Sequence, residues 1–143
     1  MKVFLDANIL VSVLNKEYPI FPFTSRILSL ANNSKFEIYT SPICLAIAFY
    51  FAEKKHRSVK AKQKIGILCE HLGIAGNTAE AVSKTLQNKS INDFEDGLEY
   101  YSALEQNCLC IVTEDKNDFH FSDIEVLNSM EFCNKYLISA YTK

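Results

Sequence analysis

The chain has 143 residues, of which 48% are hydrophobic and 22% are charged, and it contains only 4 glycines and 3 prolines. This size and composition predict one folded domain over residues 1–143 with a sizeable core, and they exclude disorder for all but the last few residues. The formal net charge of −2 provides no global positive field. A nucleic-acid partner must therefore be held by a local basic patch or through metal ions.

No apolar run approaches the roughly 18 residues that a membrane span requires. Asp6 interrupts the apolar N-terminal run, and no small-residue cleavage site follows it. We therefore expect neither a signal peptide nor a membrane anchor. The five cysteines are odd in number, and none of their spacings matches a zinc site, which favours reduced core thiols in a cytoplasmic protein.

The first half of the chain alternates strand-like and helical segments. A buried strand at residues 2–5 is expected to end at the polar sequence that begins with Asp6. Thr24 or Ser25 is a candidate N-cap for an early helix, and Ser41 for a later one that is apolar almost all round and therefore buried on most sides. The second strand is expected at residues 36–40, and the helices at residues 9–14, 26–31 and 43–52.

The second half contains two further strand-like runs. Glycines at positions 73 and 76 indicate a turn, Thr78 is a candidate N-cap, and Asn92 or Ser90 is expected to cap the next helix. Strands are expected at residues 108–112 and 124–127, and helical segments at residues 65–72, 79–86, 93–106 and 129–136. Strands alternating with helices indicate an α/β fold with a mainly parallel sheet, whose functional crevice lies beyond the carboxyl ends of its strands.

Acidic residues stand where such a crevice would form. Asp6 ends the first strand, and Asp115 and Asp118 follow a later one, while Asp93 and Asp96 share one face at a helix start. Clustered carboxylates stay ionised only if a cation neutralises them, and oxygen ligands suit Mg²⁺ or Mn²⁺. In isolation the helix-start acids are ordinary first-turn residues and the loop acids ordinary turn formers. An unpaired Asp6 would be costly, so the metal hypothesis rests on all three groups together.

Three motifs in this order resemble the PIN-domain family, which includes VapC-like toxins of toxin–antitoxin systems. They are LDAN at residues 5–8, DFEDGLEYYSAL at 93–104 and IVTEDKNDF at 111–119. The resemblance covers nearly the whole domain and implies a three-layer α/β sandwich with a mainly parallel central sheet flanked by helices. It also implies a Mg²⁺- or Mn²⁺-dependent endoribonuclease that acts on RNA, with a cognate antitoxin and a homodimeric assembly as expected partners.

The resemblance also assigns roles to individual residues. Asp6, Asp96 and Asp115 would be catalytic and would hold the metal together with Asp118. The supporting polar positions beside these acids would be Asn8, Asp93 and Thr113.

One position departs from the family pattern. PIN nucleases usually carry another acid, commonly Glu, on the helix after the second strand, and the position that matches it here is Ile47. The next acid on this helix, Glu53, is not one or two whole turns from Ile47 and would face elsewhere. The metal site is therefore expected to lack one carboxylate.

A basic segment follows that helix. Its members Lys54, Lys55, Arg57 and Lys60 are candidates for contacts with RNA phosphates, because each such contact releases counterions and adds salt-dependent affinity. A solvated helix end explains the same charges, so both interpretations stay open.

Three functions compete at this stage. The first is a metal-dependent ribonuclease, the toxin of a toxin–antitoxin pair. The second is a non-catalytic PIN domain that binds RNA or a protein, an idea motivated by Ile47. The third is a receiver-like or phosphatase-like domain with Asp6 as nucleophile, which is disfavoured because no second acid lies two residues on and no partnering Lys is evident.

Overall fold

The computed structural model describes residues 1–137, which form a five-stranded sheet with helices packed around it. The strands are β1 (Lys2–Leu5), β2 (Glu37–Thr40), β3 (Gly73–Ile74), β4 (Cys110–Val112) and β5 (Glu125–Leu127). The α-helices of this part of the chain are α1 (Ala7–Asn15), α2 (Phe21–Ser29), α3 (Pro42–His56), α4 (Ser58–Cys69), α5 (Ala79–Gln87), α6 (Phe94–Glu105) and α7 (Ser129–Phe132). Short 3₁₀ helices lie at Leu30–Asn32 and Lys116–Phe119, and a π-helical segment, Cys133–Leu137, follows α7.

The predicted domain limit extends beyond these residues. One domain over residues 1–143 therefore stays a prediction, and the expected disorder of the last few residues lies outside the described part of the chain.

The sheet is parallel throughout, in the order β3-β2-β1-β4-β5. The chain moves outward from β1 to β2 and β3, then crosses back to β4 and β5 on the other side of β1. The strand order therefore reverses between β1 and β4, which opens a crevice beyond the carboxyl ends of these two strands. The predicted α/β class with a mainly parallel sheet is confirmed.

Local sequence explains the two central strands. Every residue of β4 and all but the first of β1 are buried, as expected for strands covered by helices on both faces. Right-handed crossovers put the helices that precede β3 on one face of the sheet and those between β3 and β4 on the other. Both central strands end directly before polar residues, namely Asp6 and Thr113.

Helix α3 is less buried than its composition predicts. Its buried stripe consists of Cys44, Ala48 and Ala52, whose small side chains allow close packing against α1. Tyr50 and Phe51 are 53% and 44% exposed. The prediction that α3 is buried on most sides is therefore wrong, because the core contacts only a narrow stripe of it.

Several predicted helix starts are also wrong. Helix α2 begins at Phe21 after Ile20, not at the predicted residue 26, and the Thr24 hydroxyl lies 2.9 Å from the Ser12 hydroxyl instead of capping a helix. Helix α6 is capped by Asp93, whose carboxylate accepts from the backbone N–H of Glu95, rather than by either predicted cap. Asp93 is thus a capping residue as well as a candidate site residue.

The region between α3 and α5 also differs from prediction. The basic segment lies partly within α4, which begins at Ser58, seven residues before the amphipathic stretch on which a helix was predicted. Gly73 is not part of a turn but pairs with Tyr39 as an edge strand, since β2 offers unpaired backbone groups there. Within residues 1–137, no helix is long and apolar enough to cross a membrane.

Gly97 determines how closely α6 packs against its neighbour α5. A Cβ atom built at this position would lie 2.3 Å from Thr85 Cγ2 and 3.0 Å from Ile91 Cγ2. Only glycine fits without displacing these side chains. The absence of a side chain at residue 97 thereby helps to position the acidic residues on either side of it in α6.

Candidate metal centre

A cleft of about 420 Å³ opens beyond the carboxyl ends of β1 and β4. It contains all five predicted acidic site residues together with Asn8, and two further acids that the sequence reasoning missed, Glu17 and Glu95. The acidic lining residues are Asp6, Glu17, Asp93, Glu95, Asp96, Asp115 and Asp118, and the remaining ones are Ala7, Asn8, Val11, Ile47 and Phe51.

Asp6 is held at the bottom of the cleft by hydrogen bonds from both sides. It is the N-cap of α1, and its Oδ1 accepts from the backbone N–H of Ala7 at 2.7 Å. Its Oδ2 accepts from the Thr113 hydroxyl at 2.8 Å. The Thr113 hydroxyl also accepts from the backbone N–H of Asp115 at 3.0 Å, so that one buried hydroxyl joins the loop after β4 to the acid after β1.

Asn8 completes this network. Its Nδ2 lies 3.1 Å from Thr113 Oγ1, 3.3 Å from Asp115 Oδ2 and 3.4 Å from Asp6 Oδ2, while its Oδ1 accepts from the backbone N–H of Glu114 at 3.2 Å. Asn8 and Thr113 therefore orient Asp6 and Asp115 toward one another. These contacts fit the supporting roles predicted for the two residues.

Helix α6 brings Asp96 into the cleft from a third direction. Burial and, after it, repulsion from Asp93, Asp118 and Asp6 together raise the pKa of the Asp96 carboxyl to about 7. The pKa of Asp118, on the 3₁₀ helix after β4, is also raised, by partial burial and then by Asp115 and Asp6. The acidic groups thus interact electrostatically across the cleft, as the sequence predicted.

Glu99 is a further acidic residue that the sequence reasoning did not select. It lies one turn after Asp96 on α6, and only 1% of its surface is exposed. Its Oε1 accepts from the Cys44 thiol at 2.7 Å. Burial, followed by interaction with Asp6, raises the pKa of the Glu99 carboxyl to about 11, so this carboxyl is protonated at neutral pH when no cation is present.

The spacing of three residues from Asp96 was the one sequence signal for Glu99, since it puts both acids on the same helix face. That signal is weak, because an acid three residues from another is common on a solvated helix.

Ile47 lines the cleft at the position where an acid was expected. Lys54, Arg57 and Lys60 are exposed and do not line the cleft. The Lys55 ammonium donates to the backbone carbonyl of Asn15 at the C-terminus of α1, which gives this residue a structural role. The predicted acidic residues therefore meet in the cleft, whereas the basic segment lies outside it. RNA binding by the basic segment stays a prediction.

The donor atoms fit a divalent cation. Ligand atoms of Asp6, Cys44 and Glu99 lie within 4.8 Å of one another, and so do those of Glu95, Asp96 and Glu99. Carboxylate oxygens predominate in both groups, as hard cations such as Mg²⁺ and Mn²⁺ prefer. Burial, and then the neighbouring carboxyl groups, raise the pKa values of Asp96 and Glu99, and a bound cation would counter both effects.

Comparisons with known proteins agree with this architecture. The sequence profile of the PIN domain family matches residues 2–117. Ribonuclease VapC1 of Aquifex aeolicus (strain VF5) is similar, with 25% identity over 138 residues, or 94% of this chain and 95% of that protein.

Two solved structures have a similar fold. VapBC2 from Rickettsia felis, bound to a DNA fragment from its promoter, has a TM-score of 0.66 and 25% identity, and the match covers 90% of this chain and 98% of that chain. VapBC-1 from nontypeable Haemophilus influenzae has a TM-score of 0.67 and 19% identity over 91% of this chain and 99% of that one. The family resemblance and the sandwich fold inferred from the three motifs are confirmed.

Proposed function

This chain belongs to the PIN domain family, and from that membership we propose that it is a metal-dependent endoribonuclease, the toxin of a toxin–antitoxin pair. The observation that carries the proposal is the convergence of Asp6, Asp96, Asp115 and Asp118 in one cleft. The relative named as a ribonuclease supports the activity, and it matches nearly the full length of this chain. The structure of a VapBC pair supports the expectation of an antitoxin.

The residues proposed to hold Mg²⁺ or Mn²⁺ are Asp6, Asp96 and Asp115, with Asp118 beside them. When bound, such a cation lowers the pKa of a coordinated water and stabilises negative charge on a phosphoryl oxygen. The protein's contribution is orientation, since Asp6 is held in place by the hydroxyl of Thr113. Rigid positioning of this kind limits the reorganisation that the reaction requires.

Without a cation, the cleft repels the phosphates of an RNA backbone, because its carboxyl groups are negatively charged when they are ionised. We therefore assign the initial attraction of RNA to the exposed residues Lys54, Arg57 and Lys60, with a smaller part for Lys55, whose ammonium is already bonded to α1. A homodimeric assembly and a cytoplasmic location complete the proposal.

The proposal of metal-dependent cleavage is tested with Asp96→Asn. Wild-type protein with Mn²⁺ or Mg²⁺ is expected to cleave RNA, and chelation with EDTA to abolish cleavage. Asp96→Asn is expected to lower the rate at least about 100-fold, because loss of even an outer-shell partner costs up to that much. Cleavage is measured on a 5′-labelled RNA by gel electrophoresis.

Asp123→Asn is the matched control, since this exposed acid lies outside the cleft and should leave the rate unchanged. Equal cleavage by wild type and Asp96→Asn would reveal a contaminating nuclease and contradict the proposal. Metal binding and RNA binding without cleavage would instead favour the second candidate, a binding module, which the apolar Ile47 at the cleft motivates.

The third hypothesis is not retained. Flavodoxin-like sheets, to which receiver domains belong, have the strand order 2-1-3-4-5, whereas this sheet has the order 3-2-1-4-5.

A further inference from the structure

Helix α3 presents no carboxylate to the cleft, although it lies along one wall of it. Its side chains that line the cleft are Ile47 and Phe51. One turn before Ile47, the fully buried thiol of Cys44 points toward α6 instead. The side chains with which α3 lines the cleft are therefore apolar.

Glu99 reaches from α6 to α3, where its carboxyl group meets the thiol of Cys44. Its carboxylate is the member shared by the two clusters of ligand atoms, one with Asp6 and Cys44 and the other with Asp96 and Glu95. It consequently connects the acid after β1 with the acids at the start of α6. No other residue among those that the structure describes belongs to both clusters.

In its ionised form, the buried Glu99 carboxylate needs a positive partner. Burying a carboxyl group is costly unless it is paired, and no ion pair formed within residues 1–137 includes Glu99. Its partners are the carboxyl group of Asp6, which like Glu99 is acidic, and the thiol of Cys44, which is a weak donor. A cation between Asp6, Asp96 and Glu99 would compensate all three carboxylates at once.

We propose that Glu99 is a further carboxylate ligand of the catalytic cation, supplied by α6 in place of the acid that α3 lacks at Ile47. Cys44 is the positioning residue, because its thiol holds Glu99 Oε1 at 2.7 Å and keeps the carboxyl directed at Asp6. This inference rests on the proposed function, since it assigns a ligand to the metal site on which that function depends.

The test is the affinity for Mn²⁺, measured by isothermal titration calorimetry and by electron paramagnetic resonance of free Mn²⁺. Glu99→Gln is nearly isosteric and should fold, which circular dichroism and thermal melting of the metal-free protein check. Its Mn²⁺ affinity is expected to fall about 10- to 100-fold. Glu105→Gln is the matched control on the same helix, because Glu105 is exposed and outside the cleft, and its affinity should equal that of wild type.

A second variant tests the replacement itself. Adding Ile47→Glu to Glu99→Gln returns a carboxylate to the cleft from α3 and is expected to recover most of the lost Mn²⁺ affinity. If Glu99→Gln does not fold, Glu99→Asp serves instead, since a shorter carboxylate should retain the fold and still weaken Mn²⁺ binding. Absence of rescue by Ile47→Glu would overturn the replacement of one helix by the other.

The metal-ligand inference and the proposed function fail in different ways. Wild-type Mn²⁺ affinity in folded Glu99→Gln would overturn the inference, even if RNA cleavage and its loss in Asp96→Asn are observed. Reduced Mn²⁺ affinity in Glu99→Gln would support the inference even if wild-type protein cleaves no RNA, a result that would contradict the proposed function alone.

Discussion

Asp96 and Glu99 lie one helical turn apart, and both have raised pKa values in the metal-free cleft, about 7 and about 11. An acid whose pKa is higher in the folded than in the unfolded state stabilises the fold while it is protonated. For Asp96 this contribution is complete below the ordinary value of 3.8 and is lost as the pH rises through about 7. For Glu99 the loss extends to still higher pH. Site residues that would serve a bound cation therefore destabilise the metal-free protein at neutral pH.

The metal-free protein is accordingly expected to melt at a lower temperature at pH 8 than at pH 5. Differential scanning calorimetry in EDTA measures the difference. Asp96→Asn should reduce the pH dependence without removing it, because Glu99 continues to contribute. Asp123→Asn should behave like wild type. Saturating Mn²⁺ should raise the melting temperature most at pH 8, where the ligands release fewer protons on binding. A melting temperature independent of pH would contradict the assignment.

At the scale of elements, the start of α6 serves both the fold and the site. Asp93 caps this helix, and its negative charge also raises the pKa of Asp96. Gly97 allows close contact with α5, as its missing side chain would meet Thr85. The cap and the glycine together determine where the acids of α6 lie. A substitution in this first turn of α6 would therefore change both the stability of the fold and the positions of the acidic side chains in the cleft.

Substitutions of Asp93 separate its contribution as the helix cap from the contribution of its negative charge. Asp93→Asn keeps a side chain that caps helices as well as Asp, so its free energy of unfolding should remain within about 0.5 kcal/mol of wild type. Asp93→Ala removes the cap and should lower that free energy by about 1 kcal/mol. Urea denaturation measures both values. Equal losses in the two variants would show that charge, rather than capping, is the contribution of Asp93 to stability.

At the scale of the whole molecule, charge is distributed unevenly. The formal net charge is only −2, yet acidic groups concentrate in the cleft while basic ones gather where α3 ends and α4 begins. Lys55 and Lys64 of this basic region donate to carbonyl oxygens near the C-terminus of α1. They stabilise the end of that helix. The remaining exposed cations are then the better candidates for contacts with RNA.

The role of these cations is tested by the salt dependence of RNA binding in the Asp96→Asn background. Substituting Lys54, Arg57 and Lys60 with Gln should reduce the slope of log affinity against log salt by about 2, since each contact contributes about 0.7 on single strands. Fluorescence anisotropy with labelled RNA measures the slope. A control that replaces the exposed residues Lys35, Lys84 and Lys89 removes the same charge and should leave the slope unchanged. Equal effects of both sets would indicate a general charge effect.

Local sequence determined the α/β class, the central strands and the acids that follow them. The apolar run of β1 and the polar residue that ends it are signals only a few positions long, so Asp6 was identifiable without the fold. The same holds for Asp115, which follows β4, and for Asp96 within its motif. In parallel strands the carboxyl ends lie at one edge of the sheet, and this rule alone predicts that Asp6 and Asp115 meet.

Only the tertiary structure decided which further residues lie beside Asp6, Asp96 and Asp115. Glu99 has the sequence environment of a solvated helical acid, and its burial arises from α3, whose Cys44 lies 55 positions away along the chain. The start of α2 and the pairing of Gly73 with β2 likewise depend on distant partners. Periodicity and capping report interactions within a few residues, whereas burial is decided by contacts between elements far apart in sequence. Glu99, buried between α3 and α6 beside Asp6, therefore became identifiable only once these two helices were packed together.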